Sequence, residues 1–324
     1  MRYVLYGAGA IGGTIGSRLH QRGHDVVLIA RGAHYEEIRK NGLRFQSSDA
    51  DDVLDIPVVS GPGEASIEPG DRVVCAMKAQ DTASALRELS RVAGPEVPVF
   101  CAQNGVENER IALRLFQNVY GMYVLVFGAF LRPGVVQCFT APSFGVLDLG
   151  RFPADVDEVA QSVASDLEEA GFDSLARPDI MRWKYGKLLS NVFNAIQAIG
   201  AESESQVFAE AVNEAVACYE AAGIDYVPPA ENVQRWAHLS LHQVDGADFP
   251  GSSSWQSVAR GTDDIESDYL NGEIVLLGRL QGIPTPVNEL LQRLVREVVL
   301  RRVAPGEAAK DLLREGVGAV PDGV

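Results

Sequence analysis

Apolar residues in the first half of the chain come in short runs separated by amphipathic stretches. The runs Arg2–Tyr6, 25–30, 72–76 and 97–102 are five or six residues long, as strands are. Between the first two, residues 11–22 carry helical periodicity and stop at Gly23. This β-α-β rhythm predicts a parallel sheet with helices on both faces. Further strands are expected at 121–131, 135–139 and 143–149, with Pro133-Gly134 as a hairpin turn, followed by an acidic amphipathic helix over 155–170 that ends at Gly171.

Beyond residue 178 the pattern changes. Helical periodicity covers 180–199, 202–222, 230–242, 263–281 and 288–303, and strand signals nearly vanish. The expected fold class is α/β, with a Rossmann-type parallel sheet domain over 1–178 followed by an all-α domain over 179–324. The end, 316–324, is rich in Gly, Pro and Val and reads as a loose tail.

Composition narrows the functions open to such a chain. Its 324 residues suit two domains. The longest apolar-plus-glycine run, 119–131, is 13 residues, short of the roughly 18 of a membrane helix. Net charge is −16, with −7 over residues 1–178 and −9 over the remainder, so neither half suits nucleic acid or an anionic membrane. Cys75, Cys101, Cys138 and Cys218 lie far apart with no C-x-x-C, which argues for a reducing compartment. With no leader ahead of the first strand, a cytoplasmic location is expected.

Candidate chemistry starts at Gly7-Ala8-Gly9-Ala10-Ile11-Gly12, which links the first strand to the first helix. In that context the glycines permit a tight turn, a close approach of pyrophosphate and close helix–strand packing, while the helix N-terminus faces the anion. The alternative is a glycine-rich turn without a ligand. At the end of the second strand, where NAD-binding versions carry an acid for the ribose, stand Ala30 and Arg31. A guanidinium without a carboxylate suits the 2′-phosphate of NADP; a solvated surface arginine is the other reading. Lys78 and Asn104 follow two further strands and lie on the carboxyl side of the sheet, where ligands bind. A loop lysine and an Asn-Gly turn are their plain alternatives.

In the helical half, residues 182–199 place Leu188, Leu189, Val192, Phe193, Ala195, Ile196 and Ile199 on one face, with Lys184, Lys187, Ser190, Asn191 and Asn194 opposite. Asparagine is a poor helix former, so a cleft-lining stripe explains the two asparagines better than open surface does. Glu266 falls in line with Tyr269, Leu270, Ile274 and Leu277. A carboxylate on an apolar face needs a partner, and Lys187 is the natural candidate, unless Glu266 reaches solvent. His238 and His242 are spaced i, i+4 but lack a third ligand, which argues against a metal site.

Taken in order, these residues resemble the ketopantoate reductase (2-dehydropantoate 2-reductase) family over nearly the whole chain. The marks are the 7–12 loop, Leu28-Ile29-Ala30-Arg31-Gly32-Ala33-His34, Lys78-Ala79, Asn104-Gly105, Lys187 with Asn191, Ser253-Ser254, 265–272 and 284–288. The resemblance implies NADPH-dependent reduction of a 2-keto acid. Lys187 matches the catalytic lysine, Asn191, Ser254 and Glu266 match substrate-site residues, and Lys78 and Asn104 match residues near nicotinamide and substrate. Three departures stand out. Ala195 occupies the place of a second asparagine, with Asn194 one residue early; Trp255 and Val258 replace a Met and an Asp; and 265–268 reads Ile-Glu-Ser-Asp.

The expected activity is reduction of 2-dehydropantoate to pantoate in pantothenate biosynthesis. Lys187 and Glu266 are the expected catalytic residues; Asn104, Asn191, Asn194 and Ser254 bind substrate; residues 7–12, Arg31, Lys78 and Asn104 bind NADP. A reductase of another carbonyl or imine, and a non-catalytic NADP-binding sensor, are the alternatives. A homodimer is compatible with this reading. Trp255 and Val258 push the pocket toward apolar bulk and a larger side chain on the substrate, unless Trp255 simply packs between helices.

Overall fold

In the computed structural model, residues 1–200, 206–262 and 265–304 are described. The helix start expected at 202, the residues 263–264 and the tail at 316–324 lie outside them. The chain divides into two compact units: Met1–Lys184 with Ala230–Phe249, and Tyr185–Pro229 with the described residues from Pro250 onward.

The first unit is built on a seven-stranded sheet. Its strand order is Val146–Arg151, Val119–Leu125, Val99–Cys101, Arg72–Cys75, Arg2–Tyr6, Asp25–Ile29 and Val58–Val59. All neighbours pair in parallel except Val146–Arg151, which runs antiparallel to Val119–Leu125. Alternate residues of the first strand enter two different cores. Tyr3 and Leu5 join Ile15 and Leu19 of the helix Ala10–Gln21 on one face; Val4 and Tyr6 join Ala85, Leu86 and Leu89 of the helix Thr82–Leu89 on the other. Burial on both faces explains why these strands read as continuous apolar runs.

A second sheet of four strands, Asp51–Leu54, Leu43–Gln46, Val135–Cys138 and Gly128–Arg132, flanks this one. The turn at Pro133-Gly134 joins its last two antiparallel strands. The single strand expected over 121–131 is two, one in each sheet. Gly13 brings the first helix down onto this sheet, since a Cβ there would come 2.7 Å from Val136 Cγ2.

The segment Ala230–Phe249, expected within the helical domain, belongs to the first unit. Polar contacts hold it. Arg235 donates to buried Asp148 at 2.9 and 2.7 Å, His238 pairs with Asp173, and Tyr123 donates to Asn232 at 2.7 Å. Its helix ends at Trp236, so His238 and His242 share no helical face; His242 meets Ser240 instead.

The second unit is helical: Phe193–Ile199, Gln206–Ala222, Ser253–Ala259, Asn271–Gln281 and Pro286–Leu300, preceded by the latter part of Ile180–Asn191. The helix expected over 180–199 breaks at Val192, whose carbonyl accepts from Asn271 Nδ2 at 3.3 Å. Asn271 also donates to Asn288 Oδ1. Asn288 in turn donates to Glu214, whose carboxylate caps the helix Pro286–Leu300 by accepting from the Val287 and Asn288 amides at 2.8 and 3.0 Å. No described helix is long and apolar enough to cross a membrane.

Candidate active site

In the first unit, the chain moves outward from the first strand to Asp25–Ile29 and Val58–Val59, then returns to the other side at Arg72–Cys75. Such a reversal opens a crevice at the carboxyl ends of the strands. The loop 7–12 lies there, and its glycines are required for different reasons. Gly7 has φ +106°, and a Cβ on it would approach Met77 N to 2.7 Å; a Cβ on Gly12 would run into the Gly7 carbonyl. Both belong to the fold. Gly9 is different: a Cβ there would meet only Phe130, at 3.8 Å. The protein's own packing leaves that space open, as close approach of a diphosphate requires. Gly9 also begins the helix Ala10–Gln21 without a side-chain cap, so the leading N–H groups suit an anion.

His34, which sequence reasoning noted only as part of a motif, holds this loop. Its Nδ1 accepts from the Gly134 N–H at 2.9 Å, so its Nε2–H donates to the Ala8 carbonyl at 2.8 Å. Burial lowers its pKa, although the Ala8 contact pulls the other way. Arg31 lies at the end of the second strand as expected, but it is engaged: its Nη2 donates to Glu88 at 2.6 Å and to the Tyr6 hydroxyl at 3.2 Å.

Lys78 and Asn104 each lie three residues past the end of neighbouring strands, and each is half-buried. A buried chain of hydrogen bonds ties their loops together. Gln103 Nε2 donates to the Met77 carbonyl at 3.0 Å and to Thr82 Oγ1 at 2.7 Å. Thr82 donates to Asn108 Oδ1, and Asn108 Nδ2 donates to the Asn104 carbonyl at 3.0 Å. Beneath them Lys184 Nζ donates to the Gln103 carbonyl at 3.0 Å and pairs with Glu109, both side chains being buried. Desolvation raises the Glu109 pKa against the pull of Lys184. This pair was missed because buried and exposed charges look alike in sequence.

In the second unit, Lys187 is half-buried on the helix Ile180–Asn191, one turn before Asn191 and thus on its face. Asn191 and Asn194 are each 9% exposed and Ser254 2%, so the asparagine stripe is not open surface. Gln197 Oε1 accepts from the Ser252 amide at 2.6 Å, tying the helix Phe193–Ile199 to Ser253–Ala259. Glu266 is buried, in a 3₁₀ turn Glu266–Tyr269 rather than inside one long helix, and Ser253 Oγ donates to it at 3.5 Å. The helix Ser253–Ala259 thus links Phe193–Ile199 to the turn of Glu266, and Asn194, Ser254 and Glu266 are each buried in this unit. Trp255 lies over Gly251, where a Cβ would come 3.2 Å from its Cγ, and Val258 is buried. The described residues contain no cluster suited to a metal ion.

A parallel sheet with an open glycine loop at its carboxyl edge, followed by a helical unit that buries amides, a hydroxyl and a carboxylate, is the architecture of a dinucleotide-binding fold with an appended helical domain. Comparison with known proteins narrows this. The family Ketopantoate reductase PanE/ApbA matches residues 3–153, its C-terminal part matches residues 179–299, and the chain belongs to that family. It is 30% identical over 308 residues to 2-dehydropantoate 2-reductase of Archaeoglobus fulgidus, covering 92% of this chain and 97% of that protein. The crystal structure of a PanE/ApbA family ketopantoate reductase from Ralstonia eutropha JMP134 superposes with a TM-score of 0.79 at 28% identity, covering 93% of this chain and 99% of that one. D-mandelate dehydrogenase, solved with NADH and anilino(oxo)acetate, shares the fold with a TM-score of 0.79 at 23% identity over 93% of this chain and 99% of its own. The protein is an oxidoreductase acting on a CH–OH group.

Proposed function

We propose that the protein reduces 2-dehydropantoate to pantoate with NADPH. The observation that carries this reading is the burial of Asn191, Asn194 and Ser254 in the helical unit that bears Lys187. Polar groups in a helical core cost stability unless they serve a ligand or one another.

Residues 7–12 would hold the diphosphate, Arg31 the 2′-phosphate, and Lys78 and Asn104 the nicotinamide end. When bound, the reduced nicotinamide supplies a hydride to the substrate's carbonyl carbon. Lys187 acts at the carbonyl oxygen: its ammonium stabilises the developing alkoxide and donates the proton that completes the alcohol. Glu266 orients Lys187 or accepts from a substrate hydroxyl. Asn191, Asn194, Ser254 and Asn104 donate to the substrate carboxylate and hydroxyl without adding charge.

The bulk of Trp255 and the loss of an acid at Val258 favour a second reading, a 2-keto acid with a larger apolar side chain. One experiment separates the two: initial rates of NADPH oxidation with a panel of 2-keto acids that includes ketopantoate. The highest kcat/KM for ketopantoate is expected. A higher value for a bulky aliphatic or aromatic keto acid selects the second reading, and no oxidation with any member overturns both.

A further inference from the structure

Glu88 belongs to none of the motifs legible in the sequence, yet its carboxylate meets residues at or just beyond the carboxyl ends of three parallel strands. Its Oε2 accepts from Arg31 Nη2 at 2.6 Å and from the Tyr6 hydroxyl at 2.8 Å. Its Oε1 lies against Gly61, where a Cβ would come within 3.1 Å. Tyr6 closes the first strand, Arg31 lies two residues beyond the second, and Gly61 follows Val58–Val59, the neighbour of the second. The adenosine ribose of a dinucleotide lies above this part of such a sheet, met by an acid for NAD or an arginine for NADP.

We infer that Glu88 is a specificity-determining residue for the ribose end of the cofactor. It restores, from the helix Thr82–Leu89, the carboxylate that the second strand lacks, and it narrows the preference for NADPH over NADH. The inference rests on the proposed nicotinamide-dependent reading. A 2′-phosphate must draw Arg31 away from Glu88, or bind with that negative charge a few ångströms off. A 2′-hydroxyl faces no such conflict and can donate to the carboxylate. The side chains of Arg31 and Glu88 are 60% and 43% exposed, so solvent screens the pair. Glu88 therefore tunes the preference without abolishing either binding mode.

The test is titration of the wild type, Glu88→Gln and Glu88→Ala with NADH and with NADPH, each followed by nicotinamide fluorescence at low and high salt. Both variants should raise the NADPH-over-NADH affinity ratio about three- to tenfold at low salt and less at high salt. A purely structural Glu88 would weaken both cofactors alike. A ratio unmoved or lowered in both variants, with dinucleotide still bound, overturns this inference alone. Failure of the wild type to bind either dinucleotide overturns the cofactor reading and this inference with it.

Discussion

Replacing His34 with alanine tests how the glycine loop 7–12 is held in shape. The ring joins the Ala8 carbonyl to the Gly134 amide, and both bonds are buried. Alanine leaves an acceptor and a donor without partners, each worth about 1–3 kcal/mol if no water replaces the ring. The expected loss of stability is about 2–4 kcal/mol, read by urea denaturation. If about half of that reappears as loop displacement, dinucleotide affinity falls about 5- to 30-fold, by the rule that 1.4 kcal/mol is tenfold. Turnover at saturating cofactor should change less. The contact also sets a pH dependence. Burial holds the folded pKa of His34 below its ordinary 6.5. Its contribution is therefore complete above about pH 6.5, where both states are neutral. It drains away as pH falls toward the lower folded value, because the unfolded chain takes up the proton first. A protonated ring would also turn Nδ1 into a donor facing the Gly134 N–H. Dinucleotide affinity of the wild type should thus weaken on acidification, and that part of the loss should vanish in His34→Gln. Unchanged stability and unchanged affinity in His34→Ala would show that the ring does not hold the loop.

Three further perturbations probe the two units. Lys187→Ala should lower kcat about 10²–10⁴-fold, the range for a positioned acid, and leave NADPH affinity nearly unchanged; retained turnover would remove the lysine from the chemistry. Gly9→Ala should fold with wild-type stability, since a methyl there makes only an ordinary contact with Phe130, yet lose at least about tenfold in dinucleotide affinity. Gly12→Ala should instead lower the melting temperature, because its methyl meets the Gly7 carbonyl; the opposite pattern would reverse the roles given to the two glycines. Lys184→Met should cost about 3–5 kcal/mol in chemical denaturation, by leaving Glu109 buried without its cation, and a loss below about 1 kcal/mol would contradict a tightly buried pair.

What the sequence made legible follows from what each element buries. The strand Arg2–Tyr6 agrees with expectation residue for residue, and the first helix to within one residue at each end, because their apolar patterns are demanded by cores on both faces of the sheet. The strand Asp51–Leu54 was not expected: it is an edge with two exposed acids and no clean alternation. The residues 121–131 hid a break, since both strands and the link between them are apolar. Ala230–Phe249 joins the first unit through Arg235, Asn232 and His238, and polar pairings over such sequence separations leave no local pattern. At the candidate site, the positions of the motif residues in the fold were legible because loops after strands and one helix face can be read from periodicity. His34, Glu88, Glu109 and Lys184 act through partners 26 to 100 residues away, which no spacing rule connects.

Reduction by this protein requires that the hydride pass from nicotinamide C4 to the carbonyl carbon, and an isotope label follows it. NADPH carrying deuterium in both positions at nicotinamide C4 is incubated with the protein and 2-dehydropantoate, and the product is read by mass spectrometry and proton NMR. Pantoate with one deuterium, at C2, is expected, formed in step with the loss of reduced cofactor, with little product from Lys187→Ala. Absence of deuterium from C2 of any product formed, or no product at all from the wild type, would contradict this transfer.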